Sequence, residues 1–179
     1  VRLAEACLTT TFILTQRNGA CQRLAGSENE ELKARWLPAF CRGEAFTTVG
    51  ISHLTTSRQH LGRPAVSVRE VAGGWEFEGT VPWVTGAAQA EVIVTGGTLE
   101  DGRQLLVALP AQTKGVVLPP PPELLALNAS QTGAVELRQA FVPAECLIAG
   151  PIQDVMKCGT GGGAGSLTTS GFPVRLRQG

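Results

Sequence analysis

The sequence predicts an α+β protein in which an α-helical segment precedes an antiparallel β-barrel or β-sandwich. Before Gly43, apolar side chains recur at helical spacing, whereas after it the chain consists of short runs rich in Val, Ile and Thr. Glycine and proline turns separate these runs, and their period is close to two, which is the pattern of strands. About a hundred residues of this kind make a usual size for a β-sandwich or small β-barrel.

Two helices are predicted before Gly43. Residues 2–25 contain no proline and only one glycine, and their apolar side chains have helical spacing. Ser27 and Glu30 have the spacing of a capping box, which predicts that a second helix begins there. The apolar stripe of this helix ends before Gly43, and Pro38 inside it should end the helix early or kink it.

Six strands are predicted after Gly43. Within the second of them, Trp75 and Phe77 alternate with Glu76 and Glu78, which predicts one buried and one exposed face. Asp101-Gly102 predicts a hairpin turn, and the proline run 119–122 predicts an extended loop. The predicted strands cover residues 65–71, 74–80, 91–95, 104–109, 115–118 and 134–141.

Composition and charge exclude several classes of function. Lys and Arg together number 15, as do Asp and Glu, so net charge gives no reason to expect a nucleic-acid or anionic-membrane partner. No apolar run approaches the roughly 20 residues of a membrane-spanning helix. The five cysteines form no CxxC pair, which predicts reduced, mostly buried thiols and no zinc site. A cytoplasmic location is expected.

Sequence patterns for hydrolysis and phosphate binding are weak. Ser52 with His53, or Ser57 with His60, provide a hydroxyl and an imidazole, but neither serine lies in a Gly-x-Ser-x-Gly elbow. Adjacent residues of a strand also point to opposite faces, so Ser52 and His53 make a poor dyad. The glycine-rich residues 159–171 follow no buried strand and lack a Gly-Lys-Ser/Thr ending, which favours a flexible connection.

The most informative feature directly follows the second predicted strand, where Trp83 and Thr85 precede Gly86. An aromatic followed by a hydroxyl at the end of an alternating strand is typical of one edge of a flavin pocket. For a Trp in a strand, however, packing in the core is the commoner role. Both interpretations are open at this point.

Three blocks of sequence resemble the middle domain of the acyl-CoA dehydrogenase family. Residues 43–52 enter the β domain, residues 79–94 include Trp83 and Thr85, and residues 134–150 contain Val142-Pro143-Ala144 and end in Leu147-Ile148-Ala149-Gly150. Their order and spacing agree with the family. The resemblance implies that residues 1–43 are the end of a helical domain, 44–150 a flavin-facing β domain, and 151–179 a linker into a truncated helical domain.

The resemblance implies FAD as the cofactor. In the family, the aromatic at Trp83 packs beside the isoalloxazine, and the hydroxyl at Thr85 hydrogen-bonds its N5 and O4 side. Ser52 falls where the family has the Thr of a Thr-Glu-Pro segment, with His53 and Leu54 in place of Glu and Pro. Ser57 and Arg58 fall near the residues that contact the pyrophosphate. The implied cofactor-binding residues are Ile51, Ser52, Ser57, Arg58, Trp83 and Thr85.

The implied reaction is α,β-dehydrogenation of an acyl-CoA thioester, with hydride transfer to flavin N5. The family's catalytic glutamate lies in a C-terminal helical bundle, so no catalytic residue is expected in this chain, which the resemblance presents as an incomplete, inactive fragment. An electron-transfer partner is possible, and a homo-oligomer is expected of the whole protein. Two alternatives stay open: a flavin-dependent monooxygenase of the same fold, and a non-catalytic β-sandwich interaction module in which Trp83 belongs to the core.

Overall fold

The computed structural model describes residues 2–55 and 63–157, except for the side chain of Thr55. Four α-helices lie in this part of the chain: α1 Arg2–Ala6, α2 Leu8–Ala25, α3 Glu30–Arg42 and the short α4 Ser52–Thr55. The helical prediction for residues 2–25 is therefore confirmed, with a break at Cys7, whose side chain caps α2 by accepting from the Thr10 amide.

Helix α3 begins two residues later than its capping box predicts. Asn29 is the N-cap, because its Oδ1 accepts from the Leu32 amide at 3.0 Å. The Ser27 hydroxyl instead donates a hydrogen bond to the Ile148 carbonyl of β8 at 2.7 Å. The side chain that the sequence pattern assigns to the helix cap therefore joins the helical segment to the sheet. The helix ends at Gly43, where φ is +73°, as predicted.

Pro38 does not end α3, which continues to Arg42. The turn after the proline is held by tertiary contacts: Phe40 is 1% exposed, and its ring stacks on Trp36 with centroids 5.6 Å apart. Arg17 of α2 also donates a hydrogen bond to the Phe40 carbonyl. Burial of a Phe side chain contributes about 1.5–3 kcal/mol, which offsets most of the cost of a proline inside a helix.

The strands form one mixed sheet of eight strands. In order across the sheet they are β6-β7-β3-β2-β4-β5-β8, with β1 paired to β4 beside this path. β1 and β2 both run parallel to β4, and the other pairs are antiparallel. The strands are β1 Thr47–Gly50, β2 Val66–Val71, β3 Gly74–Thr85, β4 Val92–Leu99, β5 Gln104–Pro110, β6 Val116–Val117, β7 Thr132–Pro143 and β8 Leu147–Ile152.

The α+β class is confirmed, but the sheet is neither purely antiparallel nor closed into a barrel. β1 pairs with residues 92–95 of β4, and β2 pairs with Thr98 and Leu99 of the same strand. Two strands that run parallel to β4 thus share one of its edges in succession. Within the described residues, β6 and β8 end the order of the sheet.

All six predicted strands are present, and two strands are missed. β1 escapes prediction because all four of its residues are buried, so it has no alternation. β8 contains Gly150-Pro151, which interrupts the strand pattern. The predicted hairpin joins β4 to β5, where Gly102 has φ +85° and the Leu99 amide donates to the Arg103 carbonyl.

Two apolar clusters lie on opposite faces of the central strands. On β4, Ile93 faces a cluster that also contains Trp75 and Phe77, whereas Val92 and Val94 face the second cluster. The second cluster contains side chains of α2 and α3, so these helices cover one face of the sheet. Trp75 and Phe77 are 8% and 1% exposed while Glu78 is exposed, so the predicted faces of β3 are confirmed.

Candidate functional site

Trp83 is an exposed aromatic residue on a strand that is otherwise well packed. Its side chain is 54% exposed, whereas Val81 and Val84 on either side are both 0% exposed. Between these two valines the pairing of β3 with β7 shifts by one residue, which is a β-bulge at Pro82 and Trp83. A one-residue shift moves the following side chains to the other face. Trp83 therefore points outward, and its interpretation as a core residue is wrong.

Thr85 lies two residues after Trp83, on the same face of β3, but its side chain is only 3% exposed. Its cross-strand partner on β7 is Thr132, and their hydroxyl oxygens are 2.9 Å apart. The Thr132 hydroxyl also lies 2.8 Å from that of Ser130, in the 3₁₀ turn Asn128–Ser130. Three buried hydroxyls thus form a connected chain that ends at Thr85.

The end of β1 reaches the same region because Gly50 has no side chain. A Cβ at Gly50 would lie 2.6 Å from Val84 Cγ2 and 2.9 Å from Val81 Cγ1, so the two strands are closer than any other residue permits. The Gly50 carbonyl is held from the opposite side by the Thr95 hydroxyl, at 2.7 Å. Ile51 and Ser52 follow directly, and α4 packs against β3.

His53, in α4, contacts β4 at Gly96, the residue that follows the part of β4 paired with β1. Its Nε2 lies 2.9 Å from the Gly96 carbonyl, so Nε2 carries the proton and Nδ1 is an acceptor. Within residues 2–55 and 63–157, Nδ1 is buried and has no hydrogen-bond partner. Burial lowers the pKa of His53 below its ordinary value, and the hydrogen bond to Gly96 opposes this shift.

The structure brings four of the six predicted cofactor-binding residues to one end of the sheet. Ile51 and Ser52 follow β1, Trp83 and Thr85 end β3, and these two segments are in contact. Ser57 and Arg58 lie outside the described residues, as do His60 and the glycine-rich residues 159–171.

Sequence reasoning missed Ser130 and Thr132, whose hydroxyls continue the hydrogen-bonded chain from Thr85. Their spacing of two residues, just before a strand pattern, places two hydroxyls on one side of the chain, and this is the signal that was available. It could not be interpreted alone, because the partner hydroxyl on Thr85 lies 47 residues away in sequence.

Three other properties bear on function: the state of the thiols, metal binding and membrane insertion. Cys7, Cys21, Cys41 and Cys146 are free thiols as predicted, but only Cys146 is buried, so the prediction of mostly buried thiols is wrong for this part of the chain. Among the residues that the structure describes, no three His, Cys, Asp or Glu side chains are grouped as a metal site. No helix in the same ranges is long and apolar enough to cross a membrane.

A groove of about 520 Å³ lies on the outer face of β2, β3 and β7. Four of the charged side chains at this groove form ion pairs: Arg69 pairs with Glu76 and Arg138 with Glu136, each at 2.6 Å. The carboxylate of Glu78 accepts from the Gln139 amide at 2.8 Å. Of these five charged side chains, Glu78 alone is outside the two ion pairs, and its carboxylate is already held by the Gln139 amide.

Comparison with known proteins gives no matching family model but several relatives. A probable acyl-CoA dehydrogenase of Bacillus subtilis (strain 168) is 26% identical over 121 residues, which are 67% of this chain and 20% of that protein. A glutaryl-CoA dehydrogenase from Mycobacterium smegmatis, solved in complex with FADH2, is 26% identical with a TM-score of 0.61, over 74% of this chain and 34% of that one. The predicted resemblance to acyl-CoA dehydrogenases is confirmed.

A third similarity extends over more of the fold. A glutaryl-coenzyme A dehydrogenase in complex with glutaryl-CoA matches 85% of this chain and 40% of its own, with a TM-score of 0.74 and 19% identity. The helices and the mixed sheet are thus part of an acyl-CoA dehydrogenase fold. The chain spans between 20% and 40% of the length of these three relatives.

Proposed function

We propose that this chain forms one wall of an FAD site, built by Ile51, Ser52, Trp83 and Thr85. The observation that supports it most directly is the exposed ring of Trp83, 54% accessible on a strand whose neighbouring valines are fully buried. An exposed indole offers a flat face on which an aromatic cofactor can stack. The similarity to a dehydrogenase solved with FADH2 supports the identity of the ring.

The residues present fit a flavin in size and in chemistry. Gly50 lets β1 approach β3 so closely that a Cβ would clash with Val84, and this holds the two proposed binding segments side by side. Thr85 provides a hydroxyl in a nearly water-free position, where a hydrogen bond is stronger than in solvent. Ser57 and Arg58, which lie outside the described residues, stay predictions for the pyrophosphate.

The reaction that we propose for the whole protein is FAD-dependent α,β-dehydrogenation of an acyl-CoA thioester. When bound, FAD would supply the acceptor for hydride. Within this chain, Trp83 would hold one face of the ring and exclude water from it, and Thr85 would donate a hydrogen bond to its polar edge. A donor fixed before binding needs no reorganisation when charge develops on the acceptor.

Binding of FAD to the 179-residue chain tests this proposal. Flavin fluorescence should be quenched on titration with wild-type protein, and Trp83→Ala should raise the dissociation constant about tenfold, because ring stacking contributes about 0.5–1.5 kcal/mol beyond buried area. Phe141→Ala is the matched control, since Phe141 is another exposed aromatic on the sheet, 44% accessible, outside the proposed site. It should leave the dissociation constant unchanged.

Three outcomes would each contradict part of the proposal. If wild-type protein left flavin fluorescence unquenched, the proposal that this chain binds FAD would be refuted. If Trp83→Ala and Phe141→Ala lost flavin affinity equally, any exposed aromatic residue would contribute to binding. Trp83 would then not be a specific part of the proposed FAD site. If the protein loaded with FAD consumed oxygen on addition of acyl-CoA without reducing an artificial acceptor, the monooxygenase alternative would replace dehydrogenation.

Other expectations for the whole protein stay predictions. They are a homo-oligomer, an electron-transfer partner, a cytoplasmic location and the division of the chain at residues 43 and 150. The substrate proposed here, an acyl-CoA, is supported by the glutaryl-CoA bound to a protein of the same fold.

A further inference from the structure

We propose that Ser130 and Thr132 are positioning residues that fix the Thr85 hydroxyl as a hydrogen-bond donor to the bound flavin. This inference rests on the proposed FAD site and adds two residues to it. It states which hydroxyl donates to which along the chain that ends at Thr85. The two added residues lie in the 3₁₀ turn Asn128–Ser130 and in β7, outside the proposed wall.

The three hydroxyls are placed by secondary structure. Thr85 and Thr132 are directly opposite each other in the antiparallel pair β3–β7, and Ser130 precedes β7 in a 3₁₀ turn. The oxygen separations are 2.9 Å and 2.8 Å, and the three residues are 3%, 7% and 2% exposed. Water is therefore excluded from these groups, and each hydroxyl must find its partners among its neighbours.

With a flavin bound beside Thr85, the direction of the chain follows from counting protons. Three hydroxyls carry three protons, and the two bonds between them use two. If the bonds ran from Thr85 toward Ser130, the unused proton would lie on Ser130, for which the described residues show no further acceptor. A buried donor without an acceptor costs about 1–3 kcal/mol.

In the opposite direction Ser130 donates to Thr132, Thr132 donates to Thr85, and the unused proton lies on Thr85. Thr85 is as buried as Ser130, so this proton is satisfied only when the polar edge of a bound flavin accepts it. Bonds aligned in one direction also polarise one another and strengthen the terminal donor. Thr132 is the necessary link, because it both accepts and donates.

Substitutions along the chain separate positioning from packing. Thr132→Val keeps the shape but removes both hydrogen bonds, so the dissociation constant of FAD should rise about tenfold, as for one lost hydrogen bond. The visible absorption bands of the bound flavin should also shift, since they respond to donors at its polar edge. Thr132→Ser, which keeps the hydroxyl, should restore both, and Ser130→Ala should give a smaller change of the same sign.

Ser27→Ala is the matched control. It removes another buried hydroxyl, bonded to the Ile148 carbonyl at 2.7 Å on β8, four strands from β3 in the sheet. It should lower the urea midpoint of the protein without FAD and leave flavin affinity and spectrum unchanged.

The outcomes distinguish this inference from the proposed function. If wild-type protein binds FAD and Thr132→Val has the same affinity and flavin spectrum, the positioning role is refuted while the FAD site stands. If Thr132→Ser is as defective as Thr132→Val, packing rather than the hydroxyl is responsible, and the inference fails. If no variant, wild type included, binds FAD, the proposed function fails and takes the inference with it.

Discussion

Replacing Gly50 by alanine should destabilise the protein by driving β1 away from β3. The added Cβ would lie 2.6 Å from Val84 Cγ2 and 2.9 Å from Val81 Cγ1. Both valines are fully buried, and a β-branched side chain has little rotamer freedom with which to escape. The strands must therefore separate by nearly 1 Å before ordinary contact, at about 3.5 Å, is restored.

The expected magnitude combines two opposing effects. Overpacking of a well-packed core costs about 1–3 kcal/mol. A Gly→Ala change also removes about 0.4–1 kcal/mol of conformational freedom from the unfolded chain, which acts in the stabilising direction. The net loss in the free energy of unfolding should be about 1–2 kcal/mol, measured by urea denaturation with far-UV circular dichroism.

A double-mutant cycle identifies the clash as the cause. Val84→Ala removes the atom at 2.6 Å, so the Gly50→Ala substitution should cost about 1 kcal/mol less in that background than in the wild type. Gly19→Ala is the matched control, because its Cβ would meet Val49 Cγ1 at 3.4 Å, within ordinary contact. Gly19 lies inside α2, so this change should stabilise the protein by about 0.5–1 kcal/mol.

The reasoning would be refuted by a Gly50→Ala protein as stable as the wild type. It would equally be refuted if the loss were the same with valine or alanine at position 84, because the cause would then lie in the backbone of β1 rather than in its contact with β3.

Three further predictions concern single groups. Burial lowers the pKa of His53, so the unfolded chain takes up a proton first and the free energy of unfolding should fall as pH drops below the ordinary value of 6.5; urea titrations should show this, and His53→Gln should reduce it. Asn29→Ala removes the cap of α3 and should cost about 1–2 kcal/mol in the same assay, whereas Asn29→Asp should retain the part due to Oδ1. Gln139 has φ +52°, so Gln139→Gly should raise the unfolding free energy by about 0.5–1 kcal/mol, and an unchanged value would show that the backbone there is not strained.

Local chemistry predicts most elements of this fold, and long-range contacts decide the rest. The alternation of Trp75 and Phe77 with acidic residues correctly predicts the faces of β3. Ser27 and Asn29 both suit a helix cap, and the choice between them is made by the Ile148 carbonyl, 121 residues away from Ser27. The parallel pairing of β1 with β4 has no local signature, because each of its residues is buried.

Within β3, the sequence pattern predicts the faces of the first half, but contacts with β7 determine the face of Trp83. Counting by twos from Trp75 and Phe77 assigns Trp83 to the core face, because 75, 77, 81 and 83 have the same parity. The bulge at Pro82 and Trp83 reverses that parity, so that Val84 packs inward against Gly50 while Trp83 points outward. Proline cannot donate to the ladder, which makes a bulge there inexpensive, but its direction depends on the register of β7.

If Trp83 binds flavin as proposed, stability and binding should be separable along β3. The half that precedes the bulge buries Trp75 and Phe77, so truncation of either to alanine removes core contacts and about 3–5 kcal/mol of stability. Trp83, at 54% exposure, contributes little to the core, and its loss should be felt by a ligand rather than by the fold. The bulge, and not the indole itself, directs Trp83 to the surface, so Trp83→Ala should weaken the proposed flavin binding and leave the free energy of unfolding nearly unchanged.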